Sequence, residues 1–305
     1  NTTSDAHHAF VSSCTPPRQN FVELFSGTAS ALQYHARMNP TAKLLAIDHI
    51  PEPKYRKIIP PSLRDNPNFT YYRCDLETLT PKKYARILQH TLGITPSCVT
   101  HCHASSPCET LSIASRGKEK HPHFTDGVPS SPLAIKHYNM LTNVLATLDA
   151  HYPHGAHTIL SLENPLGRFR RLPVVKATAA SPGWCMFTAD HCSLASTLDT
   201  DPVFPKKPTT WLCKNIPPQS EPPPQCDKQC TCLVPGTTRH RLVVCRPPTD
   251  RPLIHGQSVL PNDARKSRIP LGAFHYICTG QTAHPPKPAS PTPSPSSCLH
   301  DTPEN

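Results

Sequence analysis

The feature that most limits what this chain can become is an alternation of short apolar runs with helical segments. It begins at Asn20, and several of the runs stop at an acidic residue. FVELF at 21–25 reads as a buried strand, SGTAS at 26–30 as a turn, and 31–38 as the start of a helix. LLAI at 44–47 is a second strand ending in Asp48, and FTYYRC at 69–74 is a third ending in Asp75. Residues 81–92 make a helix with proline in its first turn, where the missing N–H would have no partner in any case. CVTHC at 98–102 is a fourth strand, 133–148 a long amphipathic helix, and HTILSL at 157–162 a fifth strand. Strand and helix in this repeated order predict an α/β fold, a doubly wound, mostly parallel sheet with ligands at the carboxyl ends of its strands.

Composition bounds the remainder. Hydrophobic residues make up 36% of the 305 residues and there are 39 prolines, so part of the chain is expected to be extended and unpacked. The expected division is an N-terminal tail at 1–18, a cofactor-binding and catalytic core at 19–181, a smaller irregular recognition region at 182–279, and a disordered Pro/Ser-rich tail at 280–305. Within the third part, WCMF at 184–187 and TTWLC at 209–213 read as further strands. A net charge of +10 favours a polyanionic partner, and by charge alone this is nucleic acid or an anionic membrane surface. No apolar run approaches the roughly 20 residues that cross a bilayer, so no membrane partner is expected. The expected setting is intracellular, nuclear in a eukaryote, and the expected state is a monomer. The fourteen cysteines lie largely in strand-like runs of a long chain, which predicts reduced thiols rather than a disulfide scaffold.

Two groups of residues carry chemistry. The turn Phe25, Ser26, Gly27, Thr28, Ala29, Ser30 lets a cofactor approach the backbone and the amino end of the following helix, although an ordinary βα turn has the same composition. Asp48, about 20 residues on, suits ribose hydroxyls, and Asp75 suits an adenine amino group; either also suits a helix cap. SSPCET at 105–110 and ENP at 163–165 form the second group. Carbon 5 of cytosine is not nucleophilic until something adds to carbon 6, and a thiolate is the side chain best suited to that addition. Cys108 would supply it, and Glu163 would protonate or hydrogen-bond ring nitrogen 3. The plainer reading of Cys108 is a small buried hydrophobe.

In this order, F-S-G-T-A-S, Asp48, Asp75, S-S-P-C and E-N-P, the chain resembles the DNA cytosine-5 methyltransferase family over about residues 21–277. K-P-T at 207–209 before Trp211, the C-x3-C of Cys226 and Cys230, and R-I-P at 268–270 are similar to a divergent phage and transposon-like branch. The resemblance implies S-adenosylmethionine as methyl donor, bound by the 25–30 turn, Asp48 with His49, Asp75 with Leu76, and Ser105. It implies DNA, with RNA as the alternative, as substrate, and a target base that leaves the stack to meet Cys108 and Glu163. Ala29 stands where a second glycine is usual, Glu109 where glutamine is, and Pro165 where valine is. No Q-x-R-x-R segment is found, and Arg168, followed by Arg170 and Arg171, is the expected substitute for holding the base. A rival reading is a catalytically silent nucleic-acid-binding module on the same scaffold. Methylation of an adenine amino group would need an aromatic residue where Cys108 stands. Separately, Cys226, Cys230, Cys232 and His240 are spaced for a structural zinc ion, or else belong to a loop of reduced thiols.

Overall fold

A computed structural model describes residues 19–111, 123–125, 127–201, 203–219, 222–228, 230–243, 253–255, 257–259 and 268–283. Seven strands form its main sheet: β1 (Asn20–Leu24), β2 (Lys43–Asp48), β3 (Phe69–Arg73), β4 (His101–Ser105), β5 (Ile159–Pro165), β6 (Trp184–Asp190) and β7 (Pro208–Lys214). Their order is β3-β2-β1-β4-β5-β7-β6. The first five run parallel, and β7 lies antiparallel between β5 and β6. This is the doubly wound, Rossmann-like α/β architecture that the strand and helix alternation predicts. All of β1 and the first four residues of β4 are buried, as parallel strands covered on both faces must be.

The helices that matter here are α1 (Ser30–Met38), α2 (Glu52–Ile58), α3 (Pro81–Leu92), α4 (Pro132–His151), α5 (Pro173–Ala179) and α6 (Leu271–Thr279). Thr80 caps α3 by accepting from the Lys83 amide, and Gly93 ends it in the left-handed conformation that a residue without Cβ adopts freely. Ser131 caps α4 in the same way as Thr80 caps α3, by accepting from the Ala134 amide.

Two of the strand boundaries that differ from expectation bear on the site. The fourth strand starts at His101, not residue 98, because Pro96–Cys98 forms a 3-10 turn. The fifth continues through Glu163 and Asn164 to Pro165, so the E-N-P motif ends the strand instead of following it. The resulting register pairs Ser105 with Glu163. Beyond residue 182, β6 and β7 extend the same sheet and α6 returns to α1. Phe274 of α6 is fully buried, and its ring meets those of Tyr34, His101, His103 and Trp211. The expected tail at 1–18, and all but residues 280–283 of the expected tail at 280–305, lie outside the described residues. The described cysteines are free thiols.

If α6 closes the core as this packing indicates, Phe274→Ala should cost about 3 to 5 kcal/mol of unfolding free energy in urea. Met186→Ala, at a position 39% exposed, should cost well under 1 kcal/mol, the range of surface substitutions. Equal effects would show that α6 is not part of the core.

Candidate active site

The site begins with a buried acid in an apolar strand. Glu23 of β1 is 1% exposed and accepts from the amides of Leu32 and Ala31, capping α1 from outside the helix. It is needed because the residue at the helix start, Ala29, has no side-chain acceptor and sits at φ 54, ψ 47. That left-handed conformation favours glycine, and alanine holds it here at a cost of about 1 kcal/mol. The departure from the usual glycine therefore changes the residue without changing the turn. Asp48, at the end of β2, ties the same turn down: one carboxylate oxygen accepts from the Gly27 amide at 3.1 Å, the other from the Ile50 amide at 3.2 Å.

These groups line a cavity of about 450 Å³ at the carboxyl ends of the strands. Phe25, Ser26, Gly27, Thr28, Ser30, Asp48, His49, Ser105, Cys108 and Glu163, all singled out from the sequence, meet there. The cavity lies within the size range of small-molecule sites, and Ile50, Leu133 and Met140 give it apolar wall.

Cys108 sits past the end of β4 in a loop held from the neighbouring strand. Asn164, beside Glu163, donates to the carbonyl of Ser106 at 3.0 Å and to its hydroxyl at 3.1 Å. The E-N pair thus supplies an acid to the cavity and an anchor to the loop that carries Cys108. Cys108 is open to the cavity, yet protein crowded around its thiol raises the pKa, and the Lys207 ammonium opposes that rise. Glu163 is 5% exposed; burial raises its pKa, while Lys207 and a hydrogen bond from Ser105 lower it. Its second carboxyl oxygen, Oε2, is buried with no partner.

Behind Glu163 a line of buried polar groups crosses the sheet. His35 Nε2 lies 2.7 Å from His101 Nδ1, and His101 Nε2 lies 2.7 Å from Ser161 Oγ. Ser161 Oγ is 2.8 Å from His103 Nδ1, and His103 Nε2 is 3.0 Å from Ser105 Oγ. Burial lowers the pKa of all three imidazoles, that of His101 to about 3, so each ring is neutral with one N–H. Placing that hydrogen on Nε2 of every ring lets each group donate to the next, ending at Glu163.

Other expected site residues lie elsewhere. Ala29 and Leu76 are buried beneath the cavity's lining, at 0% and 1% exposure. Asp75 caps the short turn Leu76–Thr78 and lies 3.6 Å from Lys136, so that lysine, not the acid, reaches the cavity. Arg168 does not approach Cys108; its guanidinium stacks over the Phe124 ring at 4.9 Å and lines a separate hollow with Arg171. The cation that does face Cys108 and Glu163 is Lys207, which has come from the far side of the chain. Of the expected metal ligands, Cys226, Cys230 and His240 converge, while Cys232 lies beside Cys230 but outside the group whose ligand atoms all approach one another. It is fully buried, and its sulfur accepts from the Phe204 amide at 3.2 Å.

No family model and no curated protein matches the chain. Among solved structures, it is similar to the Entamoeba histolytica methyltransferase EhMeth at 13% identity, over 68% of this chain and 56% of that one, with a TM-score of 0.42. It is similar to TrmN from Thermus thermophilus at 15%, over 65% and 44%, TM-score 0.36. A mutant form of the 16S rRNA (adenine(1408)-N(1))-methyltransferase from Catenulisporales acidiphilia, with cosubstrate SAM, matches at 14%, over 67% and 88%, TM-score 0.34. The chain spans about half the length of the first two. At these identities and scores no substrate or activity carries across.

The buried acid Glu23 makes stability depend on pH. Burial raises its pKa from 4.5 to about 8, so the folded protein holds a proton that the unfolded chain has already released. Stability should therefore fall as pH rises from 4.5 to about 8, with a slope on the order of 1 kcal/mol per unit from this group. Glu23→Gln should flatten urea-unfolding free energy across that window. An unaltered slope would mean that Glu23 does not titrate there.

Proposed function

We propose that this chain transfers a methyl group from S-adenosylmethionine to carbon 5 of cytosine in nucleic acid, through a covalent adduct on Cys108. The observation that carries the reading is a thiol and a buried carboxyl in one cavity, the carboxyl presenting an oxygen with no partner inside the protein. An unmet buried acceptor costs about 1 to 3 kcal/mol, and the exocyclic amino group of a flipped cytosine would satisfy it.

The thiolate of Cys108 adds to carbon 6, forming the S–C bond and pushing electrons onto the ring. Glu163, whose pKa burial raises, donates to or hydrogen-bonds ring nitrogen 3 as that charge develops. Lys207 favours the thiolate over the thiol. When bound, S-adenosylmethionine supplies the electrophilic methyl group that carbon 5 attacks. Loss of the carbon 5 proton and expulsion of Cys108 restore the aromatic ring. The donor fits the turn that Asp48 and Glu23 brace, with Asp48 able to accept from ribose hydroxyls through lone pairs its amide partners leave open. The net charge of +10 favours a phosphate backbone, DNA first and RNA second.

The position of Arg168 favours one competing reading, a catalytically silent nucleic-acid-binding module, because no arginine from the expected segment reaches Cys108. Incubation with fluorocytosine-containing DNA or RNA and the methyl donor separates the two. A denaturation-resistant adduct that Cys108→Ser alone among the cysteine variants abolishes is expected. Turnover should fall by several orders of magnitude in Cys108→Ser and in Glu163→Gln, with folding and donor binding retained. Donor binding without any adduct would establish the silent module instead.

Lys207→Met should move the pH profile of Cys108 alkylation to higher pH, since it removes the charge that lowers the thiol pKa. An unshifted profile would take Lys207 out of the site.

A further inference from the structure

We infer that Cys192, Cys226, Cys230 and His240 form a tetrahedral zinc site that clamps the segment carrying Lys207 against the catalytic sheet. This inference stands whether or not the methyl-transfer reading holds. The ligand atoms of these four residues all lie within 4.8 Å of one another. Cys226 Sγ is 3.8 Å from Cys230 Sγ, and each is 3.3 Å from His240 Nε2. Sulfur at about 2.3 Å and nitrogen at about 2.0 Å from a tetrahedral ion require S···S edges of about 3.8 Å and S···N edges of about 3.5 Å. The three edges among Cys226, Cys230 and His240 have nearly those dimensions, and the Cys192 sulfur lies within 4.8 Å of each of them.

Spacing alone leads to Cys232 as the third sulfur, and the fold replaces it. Cys192 comes from the 3-10 turn His191–Ser193 directly after β6, while Cys226, Cys230 and His240 lie in the segment after β7. An isolated bridge between Leu233 and His240 brings the imidazole back to the two cysteines. Cys232, between them, is fully buried in the apolar cluster behind these ligands, where its sulfur accepts from the Phe204 amide. Asp190 accepts from the Cys226 amide at 2.9 Å, fixing the first ligand of the segment to the end of β6. Three thiolates and one imidazole suit zinc above harder divalent ions, and four protein ligands leave no position open for a reacting water. The role is therefore structural.

What the clamp holds is the connection from β6 to β7. The Phe204 amide donates to Cys232, the His191 amide donates to the Lys207 carbonyl at 3.2 Å, and His191 Nε2 lies 3.0 Å from the Thr209 hydroxyl. Lys207 leaves this braced stretch and enters the cavity beside Cys108 and Glu163. Removing the ion frees one end of the brace.

The test is metal analysis of the full chain purified under reducing conditions without chelators. About one zinc per chain is expected, retained in Cys232→Ala and lost in Cys192→Ala and His240→Ala. Should those variants fail to fold, cobalt substitution of the unaltered chain provides a second measure: intense visible bands of tetrahedral thiolate coordination, bleached by added zinc. Metal lost in Cys232→Ala but kept in Cys192→Ala would overturn the ligand set. A chain that binds neither ion, or a disulfide among Cys192, Cys226 and Cys230 in the native protein, would overturn the site.

Discussion

Everything at the centre of this protein depends on satisfying polar groups inside a sheet that water cannot reach. Parallel strands covered by helices on both faces are normally apolar throughout, yet here β1, β4 and β5 carry Glu23, His101, His103, Ser161, Glu163 and Asn164, all buried. Each orphaned group would cost about 1 to 3 kcal/mol, and a handful would exhaust the stability of an ordinary domain. The chain from His35 through His101, Ser161, His103 and Ser105 meets that demand by giving every ring one donor to its front and one acceptor behind. Its last member, Glu163, has one carboxyl oxygen left over, and that oxygen belongs to a residue lining the cavity.

The same constraint explains the first turn. An alanine at the start of α1 can neither cap the helix nor adopt a left-handed backbone without strain, and both deficits fall on neighbours. Glu23 reaches across from β1 to the orphaned amides, and Asp48 reaches from β2 to Gly27. Two acids from two strands thus hold one turn in place. Further along the chain, the Ile269 amide donates to Ser30 over a separation of 239 residues, so the segment before α6 seals the same turn from the other side.

The second half of the chain contributes to the cavity through position more than through obvious chemistry. β6 and β7 extend the sheet, and the stretch between them brings Lys207 to the Cys108 thiol and the Glu163 carboxyl. This one cation lowers the pKa of both groups, favouring the thiolate that the proposed chemistry needs and opposing the burial that raises the pKa of Glu163. The cysteine and histidine cluster after β7 lies at the other end of that stretch.

Much of the fold could be read directly. Alternating apolar runs and helical segments give strand order its beginning, and proline at a first turn or an acid at a strand end marks boundaries to within a few residues, because these signals act over neighbouring positions. The turn at 25–30, Asp48, Cys108 and Glu163 were legible for that reason, since each stands at the end of a recognisable run. Glu23 left one trace, a lone acid within FVELF, and its meaning required α1 to be folded over it. Local pattern carried no signal for Lys207 approaching Cys108, Arg168 stacking on Phe124, or Cys192 displacing Cys232 from the cluster. Each of these is decided by which strand lies beside which and by the direction a side chain leaves the backbone. Those follow from closing the whole sheet, where distant segments compete to fill one buried space.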